Sequence, residues 1–290
     1  MLLAYVNWDV NPEIFQLWGF PLRYYGLLFG TGILLSILLL KRIYGREQLS
    51  ESAYDNLIVY GFVGIFVGAR LGHCLFYDFA YYTQHPLEAV LPIQQDANGD
   101  YRFVGYQGLA SHGGAIGLIT ALLLYARKYK VTFIRVLDMV GIATPLACGF
   151  IRLANLMNSE MIGHPTDMPW AFIFRNIDGI PRHPAQLYES MAYFSIFLLV
   201  ALLYRKNIHK IGHGFYFGLS IFLMCAMRFL IEFVKEDQVG FENGMLLNMG
   251  QLLSLPFIAV GLYLTIRELC KNKEADNTSV PDQSAAIVDN

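Results

Sequence analysis

Seven apolar runs, each long enough to cross ~30 Å of hydrocarbon as a helix, divide this chain at about 23–43, 56–78, 111–128, 133–157, 186–204, 213–235 and 248–268. A segment in lipid must satisfy all its backbone polar groups internally, so helices are the form these runs can take. The run at 111–128 is the shortest of those after which the chain turns basic, and Pro145 is expected to kink the run at 133–157. Only 15% of the residues are charged, against about 25% in a soluble protein. The expected fold is an all-α integral membrane protein of seven transmembrane helices.

Orientation follows from where Lys and Arg lie near the ends of the runs. Thirteen of them fall in the connections after the first, third and fifth runs and in the C-terminal stretch, against Arg23, Arg102, Arg175, Arg182 and Lys235 on the other side. The N-terminus is therefore expected outside and the C-terminus in the cytoplasm. Residues 1–22 read as an outer N-terminal segment; they lack a charged start and an apolar stretch, which argues against a cleaved signal peptide. The membrane domain is expected over 23–270. Its long outer loops, 79–110 and 158–185, carry Pro, Gly and aromatic residues and are expected to fold as a small cap. Residues 271–290 are polar and poor in aromatics, as in a disordered cytoplasmic tail. A net charge of −2 gives no field for nucleic acid. The four scattered cysteines have neither metal nor disulfide spacing and read as small apolar residues.

Arg70, Arg152 and Arg228 interrupt these apolar runs. A charge near the bilayer centre costs roughly 2.5–3.5 kcal/mol on insertion scales, so each must bind something. With the orientation above, all three lie in the outer halves of their helices, and Tyr25, His112, Glu189 and Gln251 lie near the outer ends of theirs. Polar groups from all seven runs thus share one depth, which points to a single site open to the outer face. Arg152, Asn155 and Ser159 follow one helix face, with Asn158 and Glu160 beside them. Arg228 and Glu232 are spaced i, i+4 and can pair, either as a structural ion pair or as part of the site. Arg70 reads equally as a site residue or as the partner of a buried carboxylate. His73 has the look of a core histidine, and Asp138, towards the cytoplasmic end, reads as structural. His112 is followed by Gly113 and Gly114, which open room for a lipid glycerol or simply serve helix packing. RHPAQLYE at 182–189 is too polar for a plain anchor, and Pro184 suits a first helical turn.

Taken in order, RYYG at 23–26, GARLG at 68–72, SHGG at 111–114, RLANLMNSEMIG at 152–163, RHPAQLYE at 182–189, RFLIE at 228–232 and NMGQLLSLP at 248–256 resemble the prolipoprotein diacylglyceryl transferase family of bacterial inner membranes. The resemblance covers about Arg23 to Leu264. It implies transfer of an sn-1,2-diacylglyceryl group from phosphatidylglycerol to the lipobox cysteine of a prolipoprotein, with a thioether formed and sn-glycerol 1-phosphate released. It implies a multi-pass inner-membrane enzyme, with its site towards the periplasm, that needs neither metal nor soluble cofactor and works as a monomer. The functional positions it carries over are Tyr25, His112, Arg152, Asn155, Glu160, Gly163 and Arg228, with Gly113 and Gly114 beside the substrate and Arg70, Arg182, Gln186, Glu189, Glu232 and Gln251 in support. The chain departs from the family pattern at Met224, where a tyrosine is common, at His164, where an arginine is usual, and at VKEDQ after the helix-six glutamate, where an arginine followed by Pro-Asp is common.

Two other classes are weighed against this. A transporter for anionic lipids or small anions would line the whole depth of the membrane with polar groups, whereas the inner halves of these runs are almost purely apolar; no internal repeat supports it either. An intramembrane protease is disfavoured because Ser111 and His112, adjacent on a helix, point about 100° apart.

Overall fold

The computed structural model describes residues 5–17, 20–96, 99–104, 108–236 and 246–278. Its elements in order are β1 (Val6–Trp8), β2 (Glu13–Leu17), β3 (Phe20–Arg23), α1 (Tyr24–Arg46), α2 (Glu51–Phe76), α3 (Phe79–Gln84), α4 (Pro86–Val90), β4 (Ile93–Gln95), β5 (Tyr101–Phe103), α5 (Ser111–Tyr129), α6 (Phe133–Met157), β6 (Phe172–Phe174), β7 (Pro181–Arg182), α7 (Ala185–Arg205), α8 (Phe215–Ile231) with a 3₁₀ turn at Glu232–Val234, and α9 (Met249–Thr278). The protein is mostly helical, and six helices (α1, α2, α6, α7, α8 with its 3₁₀ turn, and α9) are long and apolar enough to cross a membrane. This is the signature of an all-α integral membrane protein. The third apolar run forms the 19-residue helix α5 and is not among the six. Helix α6 passes through Pro145, and α9 continues past the expected boundary at 270 to Thr278, where Lys271, Lys273, Glu274 and Ala275 are good helix formers.

The chain divides into two compact units, residues 41–136 and residues 1–40 with 137–290. In the smaller unit α2 and α5 approach until their backbones touch. A Cβ added to Gly72 would lie 2.7 Å from the Cα of Gly113, and one on Gly117 would lie 2.8 Å from the Cα of Gly68. Gly64, Gly68 and Gly72 therefore form the small-residue stripe on which a pair of apolar helices associates without a hydrophobic drive. Nearer the other end, the buried Tyr44 and Tyr125 hydroxyls lie 3.0 Å apart, and Tyr125 also donates to the Ala53 carbonyl at 3.0 Å.

The segment 79–110 folds onto the end of α2 as α3, α4 and the antiparallel hairpin β4–β5. Arg70 organises it. Its Nε donates to the Ala89 carbonyl at 3.0 Å, Nη1 to Gly108 at 3.2 Å and Nη2 to Glu88, and its guanidinium lies over the Tyr82 ring. The Glu88 carboxylate accepts in turn from the Tyr81 hydroxyl at 2.6 Å and the Gln95 amide at 2.9 Å. Arg70 thus gathers carbonyls at the end of a short helix and in the segment after β5; the sequence left a site role and a carboxylate partner equally open.

In the larger unit β1 runs parallel to β6 and β6 antiparallel to β7, so the N-terminal strand joins the 158–185 segment in one small sheet. Leu156, Ile162, Phe172 and Phe174 form its apolar core, with Trp8 and Leu187 packed against them. The Trp8 indole donates to the Leu156 carbonyl at 3.1 Å, fixing the sheet to the last turn of α6. At the other end of α6 the fully buried Asp138 accepts from the amides of Gly212, Gly214 and Phe217 at 2.9–3.0 Å. That carboxylate holds the α7–α8 connection, the structural role its position suggested.

Gly117→Val would drive a branched side chain into the α2 backbone. It should cost about 1–3 kcal/mol, read as a lowered thermal midpoint in detergent, whereas Gly26→Ala, with nothing within 4 Å of the added Cβ, should not lower the midpoint, since Ala favours a helix over Gly.

Candidate functional site

The larger unit holds a chain of polar contacts on the last turn of α6 and the loop after it. Arg152 Nε lies 2.6 Å from Glu189 Oε2 on α7, with the two side chains 14% and 1% exposed. Burial makes this a pair in which neither charge can be lost alone. Arg152 Nη1 donates to Asn155 Oδ1 at 3.2 Å, Asn155 Nδ2 to Glu160 Oε2 at 3.0 Å, and Asn158 Nδ2 to Glu160 Oε1 at 2.9 Å. Gln186, one turn before Glu189, donates to the Glu160 backbone carbonyl. Arg152, Asn155, Glu160, Gln186 and Glu189, scattered over 38 positions of sequence, are thus one connected network.

Glu160 sits on a strained loop. Ser159 and Met161 flank it with φ of 55° and 59°, a conformation uncommon outside glycine and found where surrounding contacts impose it. Here the contacts are visible. Gly163 donates to the His183 carbonyl at 2.9 Å and His164 to that of Val234 at 2.9 Å. A Cβ on Gly163 would lie 2.6 Å from both the His183 Cβ and the Val234 carbonyl, so no larger residue fits. Arg182 completes the clamp through Asp178 at 2.8 Å, Glu236 at 3.1 Å and the Gly163 carbonyl at 3.2 Å. Its guanidinium holds the Asp178 carboxyl below the usual range.

Arg228 reaches this neighbourhood from α8. It is partly buried and, among the described residues, makes no ion pair or hydrogen bond. The i, i+4 pair with Glu232 does not form. Glu232 begins a 3₁₀ turn, which changes the side-chain direction, and its carboxylate meets Lys235 Nζ at 3.5 Å instead. Lys235, only 2% exposed, figured in the sequence only as an outer-side cation and a departure from the family pattern, not as a site residue. Burial pushes its ammonium below the usual range, Glu189 and Glu232 oppose the shift, and Arg152 and Arg228 add to it. Tyr193, buried one turn past Glu189, is a second omission; the spacing Glu189–Tyr193 was the available signal.

The remaining expected residues divide by unit. Tyr25 stacks on Phe29 with ring centroids 6.1 Å apart. Asn248 and Gln251 exchange hydrogen bonds at 2.9 and 3.1 Å as the N-cap and third residue of α9, a capping box. Gln251 therefore starts a helix, and its amide also donates to the Phe229 carbonyl at 3.4 Å. In the smaller unit Gly113 and Gly114 are buried against α2, as the packing alternative has it. His112 is exposed and lines a cavity of about 540 Å³ with His73, Tyr77, Gly108, Leu109 and Ala110. Among the described residues no three His, Cys, Asp or Glu side chains come together so as to hold a metal ion.

The family model described as prolipoprotein diacylglyceryl transferase matches residues 12–267. A Bacteroides fragilis protein named phosphatidylglycerol–prolipoprotein diacylglyceryl transferase is 51% identical over 262 residues, 90% of this chain and 95% of its own length. Proteins of the same name from Tolumonas auensis and Porphyromonas gingivalis are 42% and 39% identical, covering 89% and 92% of this chain and 96% and 95% of theirs. A match of this extent, running through the Arg152–Gly163 network and both histidine- and arginine-bearing helices, means that the chain belongs to the prolipoprotein diacylglyceryl transferase family.

Proposed function

We propose that this protein transfers the sn-1,2-diacylglyceryl group of phosphatidylglycerol to the lipobox cysteine of prolipoproteins, releasing sn-glycerol 1-phosphate, as the first step of lipoprotein maturation. The observation that carries the reading is Arg228, a guanidinium kept in an apolar helix with no partner among the described residues. A guanidinium stays charged in apolar surroundings and binds phosphate oxygens through paired donors, so an anionic headgroup is the partner it lacks.

The reaction is attack by sulfur on the glyceryl carbon next to the phosphate. The S–C bond forms as the C–O bond breaks, and the electron pair leaves on phosphate. Arg228 and Arg152 hold the charge that develops there, with Glu189 fixing the guanidinium of Arg152 and Asn155 adding a neutral contact. Glu160 orients Asn155, and Tyr25 donates to the headgroup or an ester oxygen. A free thiol has a pKa of about 8.5, so most of it is protonated at neutral pH and a base accelerates attack. His112 is that base. Lys235 stands in for the arginine common at this point of the family and supplies a third cation near the leaving group.

The setting follows from the charge bias of the sequence. Seven helices span a bacterial inner membrane, α5 being the seventh, with the N-terminus outside and the site towards the periplasm. The loops 79–110 and 158–185 cover that face, the residues beyond 270 lie in the cytoplasm, and the enzyme works as a monomer without metal or cofactor.

The direct test uses purified protein in phosphatidylglycerol vesicles with a synthetic lipobox peptide, read by mass spectrometry. The peptide should gain one diacylglyceryl unit, and a Cys→Ser peptide should gain none; an unmodified peptide from folded protein would refute the assignment. Arg228→Ala and Arg152→Lys should each lower turnover by about a hundredfold or more, the range for one lost charge-stabilising donor, at unchanged protein level. His112→Gln should lower the rate by about 10²–10⁴-fold and remove the fall in rate on the acid side of the pH profile; a variant with the wild-type profile would exclude it as the base.

A further inference from the structure

Beside the Arg152 network the larger unit holds an open cavity of about 320 Å³, lined by Asn11, Pro12, Glu13, Arg23, Asn158 and Glu160. That volume is at the lower end of the roughly 300–1,000 Å³ found for small-molecule sites. One wall is the β2–β3 hairpin. Glu13 and Arg23 are partners across it, and their side chains form an ion pair at 3.2 Å. The approach to the hairpin is fixed as well. The Asn11 side chain accepts from the Glu13 amide at 2.9 Å, and the Pro12 carbonyl accepts from the Tyr24 amide at 3.1 Å as α1 begins. The other wall is the strained loop after α6. There the Glu160 carboxylate accepts from Asn155 Nδ2 at one oxygen and from Asn158 Nδ2 at the other. Two successive hydrogen bonds, Arg152 to Asn155 and Asn155 to Glu160, therefore join the guanidinium of Arg152 to the cavity wall.

The chemistry of the walls selects the occupant. An anion meets the carboxylates of Glu13 and Glu160, and a cation meets the guanidinium of Arg23. A neutral polyol incurs neither repulsion, and each of its hydroxyls can both donate and accept. Each Glu160 oxygen, engaged once by an amide, retains acceptor capacity for an O–H, and Arg23, paired through Nη2, retains further N–H donors. We propose that this cavity is the subsite for the vicinal diol of the phosphatidylglycerol headgroup, and that Glu13, Arg23 and Asn158 determine the preference for that headgroup. The inference rests on the transferase reading and on Arg152 holding the phosphate. A phosphodiester held there has two arms. Sulfur attacks the diacylglyceryl arm, and the free glycerol stays on the phosphate and leaves with it, so the cavity receives the part of the lipid that is released.

The test compares two donor lipids in the vesicle and lipobox-peptide system. Phosphatidylmethanol keeps the phosphodiester charge of phosphatidylglycerol and lacks the diol. Wild type should show a KM for phosphatidylmethanol at least about tenfold above that for phosphatidylglycerol, the ratio expected when polar groups built for hydroxyls are left unpaired. Glu13→Ala and Asn158→Ala should each reduce the ratio to about threefold or less, by raising the KM for phosphatidylglycerol. Should Asn158→Ala fail to fold, judged by its thermal midpoint, Glu13→Ala carries the test, because that side chain lies on the hairpin surface and is 32% exposed. Equal KM values for the two lipids in wild type, or the full ratio in folded variants, would overturn the proposal while the transferase reading stands. Weaker inhibition of the variants by sn-glycerol 1-phosphate, with the lipid ratio unchanged, would assign the cavity to the released product alone and overturn it too. A folded wild type that modifies the peptide from neither lipid would overturn the reading beneath it and this proposal together.

Discussion

A charge inside an apolar helix has to be compensated, and the three arginines of these helices differ in how far that is done within the protein. Arg70 is surrounded by backbone carbonyls of a folded loop and by an aromatic face. Arg152 is paired with a carboxylate on a neighbouring helix and tied to Asn155. Arg228 has neither among the described residues. The first arrangement is complete in itself and builds structure. The second fixes a guanidinium while letting it present donors to something else. The third has no partner among the described residues, and for that reason the proposed function turns on it.

The rest of the larger unit can be understood as support for that pair of cations. The small sheet made by β1, β6 and β7 fastens the end of α6 through Trp8. Arg182 and the close contacts of Gly163 force the loop around Glu160 into two left-handed residues, which a flexible loop would not keep. Glu160 then orients Asn155, and Asn155 reaches Arg152. The energy of sheet formation and packing is in this way used to hold polar atoms at set positions, which lowers the reorganisation needed when charge develops on a substrate.

Much of this was legible in the sequence, and the failures have physical reasons. Apolar run lengths gave all the long helices, because a spanning helix needs only length and composition. The Arg152–Asn155 contact was legible because 3–4 spacing puts residues on one face; Ser159, expected to continue that face, lies past the end of α6 with φ of 55°, and Glu160 returns to Asn155 from the loop. The Arg228–Glu232 pair was not, because regular spacing was projected across a 3₁₀ turn that redirects Glu232 to Lys235. Gln251 was read as supporting the site, and the structure gives it a helix cap; the Asn248–Gln251 spacing was itself the capping signature. Gly113 shows the limit of a local reading, since only the opposing Gly68 and Gly72 reveal that its missing side chain serves helix contact.

Lipid capture by Arg228 is the central claim, and native mass spectrometry of the purified protein tests it without involving the chemical step. Wild-type protein offered equal phosphatidylglycerol and diacylglycerol should retain the phosphate-bearing lipid, and Arg228→Ala should lose that preference by at least about tenfold, the worth of roughly 1.4 kcal/mol, with its fold intact. Equal retention of phosphatidylglycerol by both proteins would mean that Arg228 is compensated some other way, and the phosphate clamp would have to be abandoned.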